Sequence, residues 1–407
     1  MTPDSSPTPD SDSPSDVLNL IRSGRARTRG ELGMVTGLAR STITQRVDVL
    51  KAAGLVVELG EAAPSTGGRP PSLLEFNADA GMVFAADLGA THSRVSLTNL
   101  AGESLAGATT EMDINIGPLE VLGWLEQTSK ELMEDVGRPL SDLRAVGIGL
   151  PGPVDFAHGM AVNPPIMAGW HNFPVGEHCR AIYGVPVLVD NDVNIMALGE
   201  YWVMDPKIED FIYMKVGTGI GSGLILGGRL HRGANGAAGD IGHVRATSED
   251  VLCRCGNNGC LEASAGGAAL AAHLRDRGYK ADGARDVVRL VEEGNREATR
   301  SVRAAGRLIG QVLASTVNLL NPTMIMVGGD IARAEAQLLA GIREVVYQRS
   351  TTLSTTDLQI TVSSLGDRAG VTGAAAMAIE HILDPASVDL TMAGVGSHNK
   401  NSRVSAG

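Results

Sequence analysis

Three short amphipathic patterns, each with apolar residues spaced for one face of a helix, follow one another between residues 16 and 54. Thr28, with Glu31 three residues later, forms a capping-box pattern that predicts the start of the second helix. The pattern then changes to a strand, a Gly/Pro-rich turn and a second strand. This order predicts a winged helix-turn-helix over residues 16–77. The apolar positions expected to face its core are Val17, Leu18, Leu20, Ile21, Ile43, Val47, Val49 and Leu50.

The third predicted helix, opening at Ser41, carries the polar residues that such a motif presents to DNA. In a helix-turn-helix the recognition helix lies in the major groove. Residues 67–70 (Gly-Gly-Arg-Pro) would form the tip of the wing, where Arg69 can enter a narrow minor groove. A three-helix protein-interaction module is the alternative. The predicted DNA contacts are Ser41, Thr42, Thr44, Gln45, Arg46 and Arg69.

From residue 82 onward, buried strand patterns alternate with amphipathic helix patterns, and the second half of this region repeats the first. We therefore expect two α/β lobes, over residues 82–200 and 201–385, with a cleft between them. Residues 1–15 are Ser/Pro-rich and nearly without apolar side chains, so they are predicted to be disordered. The tail at 386–407 is expected to be flexible.

The charge of the chain is unevenly distributed. The net charge is −12, yet residues 16–75 carry eight Lys or Arg against six acidic residues. A mildly basic module on a large acidic one is the asymmetry expected of a DNA-binding head on a ligand-binding body. No run of eighteen apolar residues and no secretory signal pattern occurs, which argues against a membrane span and for a cytoplasmic location.

Two turns rich in Gly and Thr, at residues 87–91 and 216–223, are each predicted to join two strands. Small residues let backbone N–H groups and a threonine hydroxyl approach phosphate oxygens closely. Neither turn is a Walker loop, because Gly-Lys-Ser/Thr occurs nowhere in the chain. As a pair at matching positions of the two lobes, they resemble the phosphate-binding turns of the sugar kinase, hsp70 and actin fold.

Asp192 ends a short strand pattern and begins a helix pattern. A carboxylate at such a position can accept the proton of a sugar hydroxyl that attacks a γ-phosphoryl group. Asp is also a favoured helix cap. The local sequence leaves both roles open.

Three of the four cysteines lie within eight residues, downstream of His243. Three thiolates and one imidazole complete a tetrahedral Zn²⁺ shell with no open position, so the pattern predicts a structural zinc site. Cys179 lies outside this spacing and is expected to be a buried thiol. Asp240 and Glu262 flank the cluster as candidate acceptors for sugar hydroxyls, or as solvated loop acids. The predicted zinc ligands are His243, Cys253, Cys255 and Cys260.

Residues 82–384 resemble the ROK family of repressors, open reading frames and kinases. The matching segments read Asp-Leu-Gly-Ala-Thr, Gly-Leu-Pro-Gly-Pro-Val-Asp, Asp-Asn-Asp-Val-Asn-Ile-Met-Ala-Leu-Gly-Glu, Gly-Thr-Gly-Ile-Gly-Ser-Gly, Gly-Asp-Ile-Gly-His, Cys-Arg-Cys-Gly-Asn-Asn-Gly-Cys-Leu-Glu and Asn-Pro-Thr-Met-Ile-Met-Val-Gly-Gly. With the N-terminal winged helix, the chain is similar to the sugar-responsive regulators of the family, such as xylose and N-acetylglucosamine repressors.

The resemblance implies a two-lobed, ribonuclease H-like α/β fold of the sugar kinase, hsp70 and actin type with a zinc loop. It implies that Asp192 is the base if the chain is a kinase, and that His243 places one ring nitrogen on zinc and the other toward the sugar. The implied contacts to a sugar or sugar phosphate are Gly152, Asn163, Asn191, Asp192, Asp240, His243 and Glu262. The implied nucleotide contacts are Gly89, Thr91, Gly217, Thr218, Gly219, Gly328 and Gly329.

Three departures from the family pattern weigh against the use of ATP. Ala90 replaces the second glycine of the first turn, Asp240 replaces a glutamate, and Asp330 replaces the third glycine of a Gly-Gly-Gly segment on the nucleotide side. We therefore expect a sequence-specific DNA-binding regulator, a repressor of carbohydrate metabolism, that acts on operator DNA as a homodimer or homotetramer. The alternative is an ATP- and Mg²⁺-dependent, glucokinase-like sugar kinase with an appended DNA-binding module.

Overall fold

The computed structural model describes residues 13–61 and 72–389. Its N-terminal region consists of three helices and an antiparallel strand pair, in the order that the sequence pattern predicts. Capping boxes begin the first two helices, at Ser13 and at Thr28, and the second confirms the prediction from Thr28 and Glu31. The bounds are α1 (Pro14–Arg22), α2 (Arg29–Thr36), α3 (Arg40–Ala52), β1 (Val56–Glu61) and β2 (Ser72–Phe76).

The core of this N-terminal region follows the predicted apolar stripes with small differences. α3 begins at Arg40, one residue before Ser41, and Ala39 precedes it without a side-chain cap. Leu20 and Val49, expected in the core, are only half-buried, because they lie at the margin of their helix faces. The predicted wing tip at residues 67–70, with Arg69, lies outside the described residues. The predicted core residues that are buried are Val17, Leu18, Ile21, Ile43, Val47 and Leu50.

The described residues extend into both terminal segments that the sequence predicts to be disordered or flexible. Ser15 is fully buried, and its hydroxyl donates a hydrogen bond to the Asp389 carboxylate at 3.3 Å. Val388 is buried as well. Residues 13–15 and 386–389 therefore differ from the predicted boundaries at 1–15 and 386–407, because each packs against the other and against the core between them.

The first lobe is a five-stranded mixed sheet with helices on its faces. Its elements are β3 (Met82–Leu88), β4 (His92–Asn99), β5 (Ser104–Glu111), α4 (Pro118–Asp135), β6 (Leu143–Leu150), β7 (Val154–Asp155), β8 (Met160–Ala161), α5 (Val175–Tyr183), β9 (Val187–Asn191) and α6 (Asp192–Val203). The strand order is β5-β4-β3-β6-β9, antiparallel among the first three strands and parallel among the last three.

The second lobe repeats this topology. Its elements are β10 (Phe211–Val216), β11 (Ile220–Leu226), β12 (Arg229–Leu230), α7 (Leu261–Ala265), α8 (Gly267–Asp276), α9 (Ala284–Glu292), α10 (Arg296–Leu320), β13 (Met324–Gly328), α11 (Glu335–Arg349), α12 (Thr352–Thr355), β14 (Gln359–Val362) and α13 (Ala369–Ile382). The order β12-β11-β10-β13-β14 has the same pattern of antiparallel and parallel neighbours. The Gly/Thr turns therefore join equivalent strand pairs, β3–β4 and β10–β11.

Helix α13 returns to the first lobe, although its sequence position suggested the second. It packs against β3, β6 and α6. A Cβ on Gly373 would overlap the carbonyl oxygen of Ile195 in α6, and a Cβ on Gly199 would overlap that of Ala369. The two helices thus cross with their backbones in contact, which only glycine permits at these positions.

The N-terminal region shares one hydrophobic cluster with this crossing. Val17 and Ile21 of α1 belong to the same buried cluster as Met377 and Ile379 of α13 and Val388 beyond it. Each lobe also has a hydrophobic core of its own, which is separate from this cluster. Within the ranges 13–61 and 72–389, no helix is both long and apolar enough to cross a membrane.

The close crossing predicts that Gly373→Ala destabilises the protein. The added methyl group overlaps backbone that has no room to move, and overpacking of this kind costs about 1–3 kcal/mol. Gly123→Ala in α4 is the matched control, since a Cβ there meets nothing within 4 Å. It should stabilise by about 0.5–1 kcal/mol, because alanine is the better helix former. Urea unfolding of the two full-length variants measures both effects, and equal midpoints would contradict the assignment.

Candidate functional site

A cleft of about 330 Å³ lies between the lobes, and both Gly/Thr turns open onto it. The structure brings most of the residues predicted to contact effector or nucleotide into its lining, together with Leu252, Cys253 and Arg254 of the predicted zinc loop. The predicted residues that line it are Gly89, Thr91, Gly152, Asn191, Asp192, Gly217, Thr218, Gly219, Asp240, His243, Glu262 and Gly329.

Two predicted contacts do not line the cleft. Asn163 is exposed, with a left-handed φ of 44°, and its backbone N–H donates to Nδ1 of His171 at 3.1 Å. Pro165 and Ile166 of the same loop line the cleft instead. Gly328 is buried at the end of β13, where a Cβ would overlap the Tyr213 hydroxyl. Glycine at 328 therefore makes room for close packing.

The sequence left two roles open for Asp192, helix cap and proton acceptor. The contacts at the start of α6 show which residue is the cap. The Oδ1 atom of Asn191 accepts from the backbone N–H groups of Val193 and Asn194 at 2.9 and 3.2 Å, which makes Asn191 the helix cap. Its Nδ2 donates to the Gly152 carbonyl at 2.9 Å. Asp192 is the first residue of the helix and not its cap, so its carboxylate is available for other partners.

Asp190 braces this segment from behind. Its carboxylate accepts from Nδ2 of Asn194 at 2.8 Å and from Nε of Arg232 at 2.7 Å. The Arg232 guanidinium also lies 3.8 Å from the centre of the Phe156 ring. Because Arg232 follows β12, this buried ion pair joins the second lobe to the strand that ends at the cleft. No motif in the sequence pointed to it.

Lys215 of β10 lines the cleft and contacts Asp192, but it is not among the site residues that the sequence predicts. Its Nζ donates to Oδ2 of Asp192 at 2.6 Å. Burial alone lowers the pKa of Lys215, but the carboxylates of Asp192 and Asp87 outweigh it and the net pKa is raised. Burial raises the pKa of Asp87 to about 6, with Lys215 acting in the opposite direction. A lysine inside the otherwise apolar strand Phe-Ile-Tyr-Met-Lys-Val was the available signal.

The second Gly/Thr turn holds Glu262. The Oε2 atom of Glu262 accepts from the backbone N–H of Ile220 at 3.0 Å, and a Cβ on Gly219 would overlap the same oxygen. Glycine at this position therefore admits the carboxylate to the turn. Asp240 is exposed to the cleft from the other side.

The four predicted zinc ligands meet beside the cleft, with their ligand atoms within 4.8 Å of one another. Sγ of Cys255 and Sγ of Cys260 are 3.7 Å apart, and Sγ of Cys253 is 3.6 Å from Nδ1 of His243. Ordinary Zn–S and Zn–N bond lengths in a tetrahedron require about 3.8 and about 3.6 Å for these edges. The residues therefore fit a zinc ion bound through Nδ1 of His243.

Cys179 lies in the core of the first lobe, away from this cluster, as predicted. It is 1% exposed, and burial raises the pKa of its thiol to about 12. It therefore remains protonated and unreactive at neutral pH.

Asp330, which replaces a family glycine on the nucleotide side, has a basic partner. Oδ1 of Asp330 is 3.6 Å from Nε of Arg285, which in turn is close to Glu111 of the first lobe, with Nη1 to Oε1 at 3.5 Å. These two ion pairs link Asp330, which lines the cleft, through α9 to β5 of the first lobe. Ala90, which replaces the second glycine of the family's first turn, also lines the cleft.

Comparison with known proteins assigns this architecture to a class. The ROK family model matches residues 83–381. The chain belongs to the ROK family.

Repressors match nearly the whole chain. The xylose repressor of Caldicellulosiruptor bescii is 31% identical over 381 residues, covering 90% of this chain and 95% of the relative. The crystal structure of a ROK family transcriptional regulator, a homologue of the Escherichia coli Mlc protein, superposes with a TM-score of 0.80 at 25% identity, covering 94% of this chain and 98% of that one. The glucokinase of Thermotoga maritima is 29% identical but covers only 74% of this chain, at 98% of its own length.

The geometry of the cysteine cluster predicts that Cys255→Ser abolishes zinc binding. Three protein ligands do not close the shell, so the zinc content should fall from about one ion per chain to near zero. Cys179→Ala is the control, since it removes a thiol outside the cluster. Elemental analysis of protein purified without chelator measures the metal, and a zinc-free wild type would refute the assignment.

Proposed function

We propose that the chain is a DNA-binding transcriptional repressor of carbohydrate metabolism whose body binds a sugar effector in the cleft between its lobes. The observation that carries the proposal is that a helical N-terminal region precedes a ROK body in one chain. A xylose repressor and the structure of a ROK transcriptional regulator match both parts over most of the chain. The DNA-binding transcriptional dual regulator NagC of Escherichia coli is a further relative, 27% identical over 371 residues.

The N-terminal region supports the proposal as a winged helix-turn-helix. α2 and α3 pack together, and the wing would be the loop between β1 and β2. Ser41 and Gln45 are exposed on α3, with Thr42, Thr44 and Arg46 half-buried beside them. We assign these residues and Arg69 to operator contact. Such heads act in symmetric pairs, so we propose a homodimer or homotetramer.

The effector site comprises the polar groups around Asp192. Sugar hydroxyls are held by carboxylates that accept hydrogen bonds and by amides that do both. We assign this role to Gly152, Asn191, Asp192, Asp240, His243 and Glu262. A zinc ion held by His243, Cys253, Cys255 and Cys260 would supply a structural cross-link that positions the loop carrying Asp240 and the helix carrying Glu262.

Helix α6 connects the effector site to the N-terminal region. It begins at Asp192 in the cleft and ends at Val203, and the preceding Trp202 ring lies 5.2 Å from the Arg22 guanidinium of α1. Burial lowers the pKa of Arg22, while Glu380 of α13 opposes that effect. A sugar that moves the start of α6 therefore acts on α1 through one rigid helix.

DNA binding is tested with Arg46→Ala on DNA from the promoter of the chain's own gene. Loss of a phosphate contact should weaken binding and reduce the salt slope of log K by about 0.9. Arg300→Ala is the charge-matched control, because Arg300 is exposed on α10 of the second lobe. Gel shifts at several salt concentrations measure both. If the wild type binds no DNA, or if both variants behave alike, the assignment of the head fails.

The α6 connection predicts that Trp202→Ala uncouples the two sites. Sugar binding and DNA binding should both persist, but sugar should shift the DNA-binding curve several-fold less than in the wild type, since coupling energies of this kind are about 1–3 kcal/mol. Trp124→Ala in α4 is the control, being a half-buried tryptophan remote from α1. Calorimetric sugar titration beside gel shifts separates binding from coupling. An undiminished sugar effect in Trp202→Ala would contradict this path.

An ATP-dependent sugar kinase is the second candidate, favoured by Asp192 and the paired turns and by glucokinase relatives. Formation of sugar phosphate by the wild type at about 1–100 s⁻¹ would establish it.

A further inference from the structure

The cleft is strongly acidic. Among the described residues that line it, Lys215 and Arg254 oppose six carboxylates. The six are Asp87, Asp192, Asp240, Glu262, Asp330 and Asp367. The last two have arginine partners outside the lining, Arg285 and Arg94, so the excess of negative charge lies around Asp87, Asp192, Asp240 and Glu262. A sugar phosphate or a nucleotide, both anions, would enter against this field unless a cation accompanied it.

Lys215 is already committed to the carboxylates inside the cleft. Its ammonium is 2.6 Å from Asp192 in a largely buried ion pair, with 22% and 7% of the two side chains exposed. Its stem packs along the second turn, where a Cβ on Gly217 would lie 3.5 Å from the Lys215 Cε. Asp87, at the end of β3, is the second carboxylate that acts on this ammonium.

This arrangement conflicts with a magnesium nucleotide. In phosphoryl transfer the γ-phosphoryl group passes from the nucleotide to the attacking hydroxyl. In this cleft the hydroxyl would lie beside Asp192, and the turns would hold the remaining phosphates. Mg²⁺ reaches such a site through carboxylate ligands. The ammonium of Lys215 already pairs with Asp192 in this region, and Ala90 places a methyl-bearing residue in the first turn, which lines the cleft. The residues present do not fit Mg²⁺ and ATP.

We propose that Lys215 is a built-in cation that takes the place of the metal and the phosphoryl group, so that the cleft binds an uncharged sugar and neither a sugar phosphate nor a magnesium nucleotide. The inference rests on the proposed effector role of the cleft. With Lys215 in place, Asp192 is held as a fixed acceptor for a sugar hydroxyl, and the site receives a sugar without a magnesium nucleotide.

The first test removes the cation and uses Mn²⁺ as the probe, followed by electron paramagnetic resonance. Lys215→Met leaves Asp87 and Asp192 without their internal counter-ion, so Mn²⁺ should bind about tenfold more tightly than to the wild type, or tighter still. Lys280→Met is the matched control, the same substitution at an exposed site outside the cleft. Lys215→Arg, which keeps the charge, should behave as the wild type. Mn²⁺ affinity that is equal in all four proteins, or tight in the wild type, overturns the proposal.

The second test needs no variant and so does not depend on the folding of Lys215→Met. Glucose, xylose and N-acetylglucosamine are titrated calorimetrically into the full-length wild type beside glucose 6-phosphate, N-acetylglucosamine 6-phosphate and magnesium AMPPNP. At least one free sugar should bind about tenfold more tightly than its phosphate, and AMPPNP should not bind. Tighter binding of a sugar phosphate, or binding of magnesium AMPPNP, overturns the proposal.

The two failures are distinguishable. If a sugar phosphate binds and shifts the DNA-binding curve, the effector role stands and only the inference on Lys215 fails. If the wild type binds no DNA, the regulator role fails, while the Mn²⁺ measurement still reports on Lys215.

Discussion

The backbone crossing of α6 and α13 is the constraint on which the rest of this structure depends. Gly199 and Gly373 bring the two helices into contact without intervening side chains. α13 then lies on the first sheet, and α6 runs from the cleft to α1. Because the contact is made by backbone, no side chain is available to repack between the two helices. The crossing links the cleft to the helical N-terminal region, and we propose that it connects the effector site to the DNA-binding head.

The cleft combines a kinase-like frame with charges suited to a receptor. Its paired turns and the position of Asp192 are those expected of phosphoryl transfer, and the glucokinase of Thermotoga maritima is 29% identical to this chain over 316 residues. Lys215 is paired with the carboxylate that a kinase would use as its base, and we infer that this pair and the excess of acidic groups in the lining disfavour a phosphate ligand. A small number of charges therefore separates sensing from catalysis on one frame, as expected where function resides in the site and not in the fold.

The four predicted zinc ligands form a cluster at the edge of the cleft. The segment that carries these ligands has little apolar packing: Leu252 is 73% exposed and Val244 46%. His243 belongs to both the cluster and the lining. A zinc ion bound here would cross-link two loops that lack a hydrophobic core of their own.

Local patterns in the sequence were sufficient for most of the elements and for the grouping of the three cysteines with His243. Capping at Thr28, the Gly/Thr turns and the cysteine spacing depend on residues within a few positions of one another. They can therefore be recognised from the sequence without knowledge of the fold. The edge strands β5 and β14 were not anticipated, because edge strands are partly exposed and lack a continuous apolar run. The Lys215–Asp192 pair, the Arg232–Asp190 pair and the return of α13 to the first lobe join residues far apart in the chain. Only tertiary packing decides such contacts, because a side chain's partner depends on which strand ends the fold brings together.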